Sequence, residues 1–256
     1  MNFKNKILNQ LISDLQNCPD VFAVWEGGSA ANARSDQYSD IDLNILTSDD
    51  VETVFETIER ALQTVSEITH VWRVPISIWP DLSQKIYFLK DAPKHFFVDA
   101  VLFRKSKEQM LVEFMQTERH GTPIIYFDRT GLIVPRPTDQ KELLNRQKKR
   151  FAEIIEAYPV FKTLVLKELD RGNLIDAFSY YQNGIFRPLV ELLGMIHRPF
   201  HFDFGLRYLK HSLPSDVYDQ LEELLIFDSV ETLRKNAQSA EDLFNKTAAT
   251  VRTKLA

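Results

Sequence analysis

The sequence predicts an α+β chain in two parts, a sheet flanked by helices first and a bundle of helices after it. Three observations lead there. Short β-like runs at 21–25, 39–47, 72–104 and 123–127 all fall in the first half of the chain. Beyond the Pro-rich stretch Val134-Pro135-Arg136-Pro137-Thr138, apolar residues recur almost entirely at helical spacing. Glycine is scarce, 8 of 256 residues, against an average of about 7%, which disfavours a many-turned all-β architecture. The two expected domains are 1–134 and 139–256.

Each element has its own signal. Ile7, Leu8, Leu11, Ile12 and Leu15 predict an amphipathic helix to about residue 17. The apolar run 21–25 is a strand that delivers the chain to Gly27-Gly28, after which Ser29 is expected to cap a short helix over 30–33. The run 39–47 is the second strand. Asp49 or Asp50 caps a helix carrying Val51, Val54, Ile58 and Leu62. Residues 72–104 hold three β-like runs, broken at Pro80-Asp81 and Asp91-Ala92-Pro93. A helix over 106–118 and a strand over 123–127, closed by Asp128-Arg129-Thr130-Gly131, complete the first part. Helices follow at 139–157, 160–171, 174–196, 214–226 and 229–252, with Pro188 kinking or splitting the third. Trp25, Trp72 and Trp79 read as core.

Composition narrows the function classes. Hydrophobic residues at 44% and charged residues at 26% are ordinary for a soluble globular protein. No apolar run reaches the ~18 residues of a membrane span, and the first residues lead into an amphipathic helix rather than a signal peptide. Cys18 is the single cysteine, so no disulfide framework exists and a cytoplasmic home is expected. A net charge of −5 weighs against a long nucleic-acid substrate without excluding it, and suits a cationic small molecule.

The chemistry is concentrated in three carboxylates and a glycine turn. Asp40 and Asp42 stand two apart in an alternating run, so on a strand both point to one face while Ile41, Leu43 and Ile45 enter the core. Like charges about 6 Å apart repel by roughly 3 kcal/mol at an effective dielectric near ~20. A divalent cation between them turns that repulsion into binding energy. Asp99 is the only charge between Phe96 and Phe103, in a run that otherwise reads as a buried strand. A buried carboxylate demands a cation or a proton. If its strand lies beside that of Asp40 and Asp42, the three converge on a site for one or two Mg²⁺ ions and a nucleoside triphosphate.

The turn Gly27-Gly28-Ser29-Ala30-Ala31, a spacer of about ten residues, the run Ser39-Asp40-Ile41-Asp42-Leu43 and the later Asp99 together resemble the DNA polymerase β-like nucleotidyltransferases. The pattern is most similar to the small bacterial branch that holds the aminoglycoside and lincosamide nucleotidyltransferases and the minimal enzymes of toxin–antitoxin pairs. The motif-bearing resemblance spans roughly residues 20 to 105, and the rest is similar to the antibiotic enzymes in layout. It implies a nucleotidyltransferase fold with a mixed sheet, followed by a helical substrate-binding domain. It implies Mg²⁺-dependent transfer of a nucleoside monophosphate from ATP or another NTP to a hydroxyl of a small molecule, with release of pyrophosphate. An aminoglycoside or lincosamide antibiotic is the first acceptor to consider, which would make the enzyme one of antibiotic resistance.

On this resemblance Asp40, Asp42 and Asp99 are the catalytic and metal-binding residues, with Asp99 as third ligand, general base or both. Gly28, Ser29, Ser39 and Arg34 bind the nucleotide, and Tyr180, Tyr181, Arg187 and Glu191 line the acceptor pocket. Plainer readings stand beside these: an ion pair of Asp99 with Arg73 or Arg104, an exposed loop for Arg34, a solvated Glu26, and a helix ion pair between Arg187 and Glu191. Arg146, Lys148, Lys149 and Arg150 form a basic cluster that either meets phosphate or is a solvated helix face.

Other chemistries lack their motifs. His197 and His201 have Pro199 between them, which spoils a helical zinc pair. There is no Gly-x-x-x-x-Gly-Lys-Ser/Thr loop, no Gly-x-Gly-x-x-Gly and no Gly-x-Ser-x-Gly elbow. Two rival functions remain: nucleotidyl transfer to tRNA or a protein, and a non-catalytic nucleotide-binding partner of another chain.

Overall fold

The computed structural model describes residues 2–78 and 81–256, so the expected break at Pro80 and the expected burial of Trp79 fall outside the described residues. The chain divides into two compact units, one closing at Thr138 and the other beginning at Asp139. The Pro-rich stretch belongs to the first unit. Arg136 forms a β-bridge with Gln116, and Glu118 Oε2 accepts bonds from the backbone N–H (2.8 Å) and hydroxyl (2.9 Å) of Thr138.

The first unit is a mixed six-stranded sheet built from β1 (Val21–Glu26), β2 (Ile41–Thr47), β3 (Ile68–Arg73), β4 (Leu82–Leu89), β5 (Val98–Arg104) and β6 (Ile124–Asp128), in the order β3-β4-β5-β2-β1-β6. β2 and β5 run parallel, and every other neighbouring pair is antiparallel. The alternation of apolar residues decides what each face meets. Ile41, Leu43, Ile45, Val98, Ala100 and Leu102 pack on α1 (Phe3–Gln16) through Ile7, Leu11 and Leu15. The same core takes in Val54, Phe55 and Ile58 of α3 (Val51–Gln63), which follows the one-turn helix α2 (Gly28–Ala31). Asp50 caps α3, its side chain accepting from Thr53 N–H. On the opposite face Trp25, Leu46 and Phe103 form a smaller cluster with Leu111, Met115 and Ile133.

Three expectations for this unit are corrected. Residues 106–118 do not form one helix. They break into a 3₁₀ turn (Lys105–Met110), α4 (Leu111–Phe114) and, after an extended Gln116, α5 (Thr117–His120). The pairing of Gln116 with Arg136 claims the backbone there. Trp72 is 46% exposed, because β3 begins at Ile68 and lies at the sheet edge. Ser29 lies inside α2, whose N-cap is Gly27.

The second unit is helical: α6 (Gln140–Asp170), α7 (Leu174–Tyr181), α8 (Arg187–His197), α9 (Leu209–Ser212), α10 (Ser215–Glu223) and α11 (Val230–Leu255). α6 runs unbroken through Pro159, where two helices were expected. Ile154, Tyr158, Val165 and Leu169, on both sides of the proline, are buried in one core, which offsets the roughly 3 kcal/mol cost of an interior proline. Pro188 does not split its helix: the backbone stays right-handed helical from α7 into α8, and the interruption is a π turn at Gln182–Phe186, with Pro188 in the first turn of α8. Tyr158 stacks on Phe244 with ring centroids 3.7 Å apart, and Ser229 with Thr232 forms a capping box at the start of α11. Among the described residues, no helix is long and apolar enough to cross a membrane.

Candidate active site

The parallel pairing of β2 with β5 sets Asp42 directly beside Asp99. Registered neighbours on adjacent strands lie about 5 Å apart and point to the same face. Ile41, Leu43, Val98 and Ala100, the neighbours of these two residues along the strands, are fully buried on the other face. The expectation that the Asp99 strand lies beside the Asp42 strand is therefore met. Asp40 precedes the first residue of β2, so it is not one of the strand positions as expected. Its Oδ1 accepts a 2.9 Å bond from Phe97 N–H.

Neither arginine offered as a partner for Asp99 reaches it. Arg73 forms a two-pronged ion pair with Glu52, and Arg104 donates to Ser83 Oγ. The residue that meets Asp99 is Gln84 on β4, whose Nε2 lies 2.8 Å from both carboxylate oxygens. Burial pushes the Asp99 carboxyl up to about 6; the Gln84 bond opposes this, and the charges of Asp42 and Asp40 add to it. Asp40 is also raised, first by burial and then by Asp42, against the Phe97 N–H and Lys4. This is the electrostatics of clustered carboxylates that need a cation or a proton.

The glycine turn is built onto Asp42. Gly28 has φ +54°, and a Cβ there would lie 1.7 Å from Asp42 Oδ2. Gly27 donates its N–H to the Asp42 carbonyl at 2.9 Å, and a Cβ on it would lie 2.8 Å from Asn44 Nδ2. Gly28 is thus required both by its close approach to Asp42 and by its left-handed backbone, whereas a Cβ at Gly27 would displace only the tip of the Asn44 side chain. At its far end, α2 is held by Thr122 N–H, which donates to Ala31 O at 2.9 Å, and by Asn32 Nδ2, which donates to Gly28 O at 2.7 Å.

The other nucleotide candidates sit differently. α2 spans four residues, a single turn with little helix dipole to place behind a phosphate. Ser29 is half-buried within it. Ser39 Oγ is committed to its own loop, accepting from Asp36 N–H (2.8 Å) and donating to Asp36 Oδ1 (3.0 Å). Arg34 is exposed just beyond α2, its N–H donating to Ser29 O.

Among the described residues, no group of three or more His, Cys, Asp or Glu side chains is arranged to hold a metal ion. The three-carboxylate cage expected of Asp40, Asp42 and Asp99 is not present as such. The donor chemistry still fits Mg²⁺, which takes one or two carboxylates and completes its shell with substrate phosphates and water. Asp42 and Asp99 offer two hard-oxygen donors on one face.

The acceptor candidates of the helical unit are mostly structural. Tyr181 is fully buried and its hydroxyl donates to Leu224 O at 3.0 Å, so it is core. Glu191 forms a two-pronged pair with Arg150 (2.6 and 2.8 Å) instead of pairing with Arg187 on its own helix. Tyr180 is partly buried against the helical core, and Arg187 is exposed. Of the basic cluster, Arg146 pairs with Asp203 and Arg150 also with Glu153. A cavity of about 460 Å³ opens between the π turn and α9–α10, with Phe186, Tyr208, Lys210, His211, Tyr218 and Glu222 in its lining. None of the four acceptor candidates lines it.

Sequence reasoning missed Gln84, Lys4 and Tyr126. Tyr126 OH donates to Glu26 Oε2 at 2.6 Å, and Lys4 Nζ lies 2.9 Å from Glu26 Oε1. Glu26, expected to be solvated, is only 3% exposed. A carboxylate immediately before Gly27-Gly28, at the end of an apolar strand, was the one available signal.

The structural neighbours include an aminoglycoside 6-adenyltransferase from Bacillus subtilis (13% identity, 97% of this chain and 88% of that chain, TM-score 0.38). They also include a nucleotidyltransferase-like protein from Exiguobacterium sibiricum (14%, 95% and 76%, 0.40). A third is a spectinomycin adenyltransferase from Enterococcus faecialis, solved with ATP and spectinomycin (12%, 98% and 97%, 0.33). These scores are too low to carry an argument about this chain. No curated protein matches it. The family model for streptomycin adenylyltransferase matches residues 83–256, taking in Gln84, Asp99 and the whole helical unit. That match spans more than half of the chain, and with it the chain belongs to the streptomycin adenylyltransferase family.

Proposed function

We propose that this nucleotidyltransferase moves the nucleoside monophosphate of ATP, or another NTP, to a hydroxyl of a small-molecule antibiotic of the aminoglycoside type. The observation that supports it most is the placement of Asp42 beside Asp99 on one sheet face, with Gly28 packed against Asp42. The acceptor oxygen bonds to the α-phosphorus, the bond from that phosphorus to the bridging oxygen breaks, and pyrophosphate leaves with that oxygen. Asp42 and Asp99, with Asp40 at their edge, would hold Mg²⁺. When bound, the ion supplies charge neutralisation for the triphosphate and the leaving group. Above a pH of about 6 Asp99 is ionised and is suited to take the hydroxyl proton. The open Gly27-Gly28-Ser29 turn gives the phosphates close access to backbone, which a side chain at 28 would block.

The net charge of −5 favours a cationic acceptor over nucleic acid, and the lone cysteine fits a cytoplasmic enzyme. The test is calorimetric binding of ATP and GTP with and without Mg²⁺, comparing the wild type with Asp42→Asn. Next comes pyrophosphate release with streptomycin and spectinomycin as acceptors. Mg²⁺-dependent binding that Asp42→Asn abolishes supports the proposal. A wild type that binds no triphosphate in a Mg²⁺-dependent way refutes it.

A further inference from the structure

Glu26 is the most deeply buried acidic residue close to the glycine turn, 3% exposed at the last position of β1. A carboxylate taken out of water must be paired or protonated. Its Oε2 accepts a 2.6 Å bond from Tyr126 on the edge strand β6. Its Oε1 has no hydrogen-bond partner, although Lys4 Nζ lies 2.9 Å away. The contact is therefore an ion pair outside hydrogen-bond directions. Lys4 spends a directed bond elsewhere, donating to the carbonyl oxygen of Asp40 at 2.8 Å. One residue after Glu26, Gly27 donates to the carbonyl oxygen of Asp42 at 2.9 Å. Alternate carbonyls of the Asp40-Ile41-Asp42 segment are thus gripped from one small region: the first turn of α1 and the end of β1.

We infer that Lys4 and Glu26, braced by Tyr126, are positioning residues that fix the backbone of Asp40-Ile41-Asp42 for binding of a Mg²⁺–nucleoside triphosphate. This rests on the nucleotidyltransferase reading of the site. Stability alone does not ask for the arrangement, since well-packed apolar residues of similar volume often replace a buried ion pair without loss. An apolar pair, however, cannot hold a carbonyl. Asp40 lies just before β2, at the edge of the regular ladder, and the ammonium of Lys4 supplies a tether there. Glu26 keeps that ammonium in place, and Tyr126 keeps Glu26 in place. Partners standing behind ligands in this way typically matter for metal affinity although they touch neither metal nor substrate.

The experiment uses the full chain, with Lys4→Met/Glu26→Gln as the principal variant because it removes both charges together and leaves neither buried alone. Thermal unfolding reports the fold, and calorimetry reports ATP binding with and without Mg²⁺. The expected result is a melting temperature close to wild type with Mg²⁺-dependent ATP binding weakened about tenfold or more. Binding without Mg²⁺ should change little. A folded double variant that binds Mg²⁺–ATP as the wild type does overturns the inference. If the double variant fails to fold, Tyr126→Phe removes only the brace and should weaken Mg²⁺-dependent binding by about threefold; unchanged binding overturns the inference as well. A wild type without Mg²⁺-dependent ATP binding defeats the reading of the site itself, a different result from a wild type that binds and a variant that binds equally well.

Discussion

Gly28 and Asp42 occupy adjoining space: a single Cβ added at 28 would lie 1.7 Å from the Asp42 Oδ2 atom. The turn and the carboxylate are therefore packed together, and no side chain can be added at 28 without moving Asp42. Gly28→Ala forces a left-handed non-glycine residue at a cost of about 1–2 kcal/mol. It also drives the Asp42 carboxylate away by an ångström or more. A displacement of that size costs on the order of 100-fold in rate. Thermal unfolding and steady-state assays of Gly28→Ala should show a modest drop in stability and a large loss of kcat/KM. An active Gly28→Ala enzyme would mean that the contact with Asp42 plays no part in catalysis.

Asp99 links stability to pH in a direction opposite to most acidic groups. Its carboxyl is raised to about 6, mainly by burial, so the folded chain holds this proton more tightly than the unfolded chain does. The stabilisation is fully present below the ordinary aspartate range and fades as pH rises toward 6. By about pH 7 the ionised group costs roughly 3 kcal/mol. Asp99→Asn still accepts a bond from Gln84 and escapes that cost. Urea unfolding at pH 4 and pH 7.5 should show the variant gaining on wild type only at the higher pH, while transferase activity disappears. Equal differences at both pH values would show that Asp99 titrates as an ordinary carboxylate.

Gln84 tunes that carboxylate. Its Nε2 donates to both oxygens of Asp99, and this bond lowers a pKa that burial has raised. Gln84→Leu removes the opposing influence, so the Asp99 proton is held to higher pH. The acid limb of the kcat/KM profile should move toward alkaline pH, with near-normal rates recovered well above neutrality. A profile that stays in place and merely falls in height would assign Gln84 to packing alone.

How much of this was visible in the residues depends on the range of the interaction. Ile41, Leu43 and Ile45 announced β2 and its buried face, and the same alternation exposed Asp42, because strand periodicity is local. That Asp42 would lie beside Asp99 required the parallel register of β2 and β5, which no local signal specifies. Glu191 shows the limit most clearly. Its spacing from Arg187 suggested a pair on one helix, yet its partner is Arg150 on α6. Tertiary contact outcompeted helical proximity. Gln84 and Lys4 gave no signal because a polar residue in a strand, or a lysine in a first helical turn, is ordinary until the fold brings it to a carboxylate or a carbonyl.

Tyr181 separates a structural aromatic from a ligand-binding one. Its ring is fully buried in the helical core and its hydroxyl donates to Leu224 O at 3.0 Å. Burial holds its phenol above the usual range, so it stays protonated, a donor at any working pH. Tyr181→Phe leaves the packing intact and removes one of the two bonds to Leu224 O, which Asn236 Nδ2 still reaches at 3.1 Å, at a cost of about 1 kcal/mol. The expected outcome is a lower urea midpoint with an unchanged m-value and unchanged KM for ATP and for any aminoglycoside acceptor. A raised acceptor KM at undiminished stability would return Tyr181 to the acceptor pocket, and with it the neighbouring Tyr180. With stability as the quantity that moves, the search for acceptor contacts shifts to groups whose side chains are not already spent on the fold.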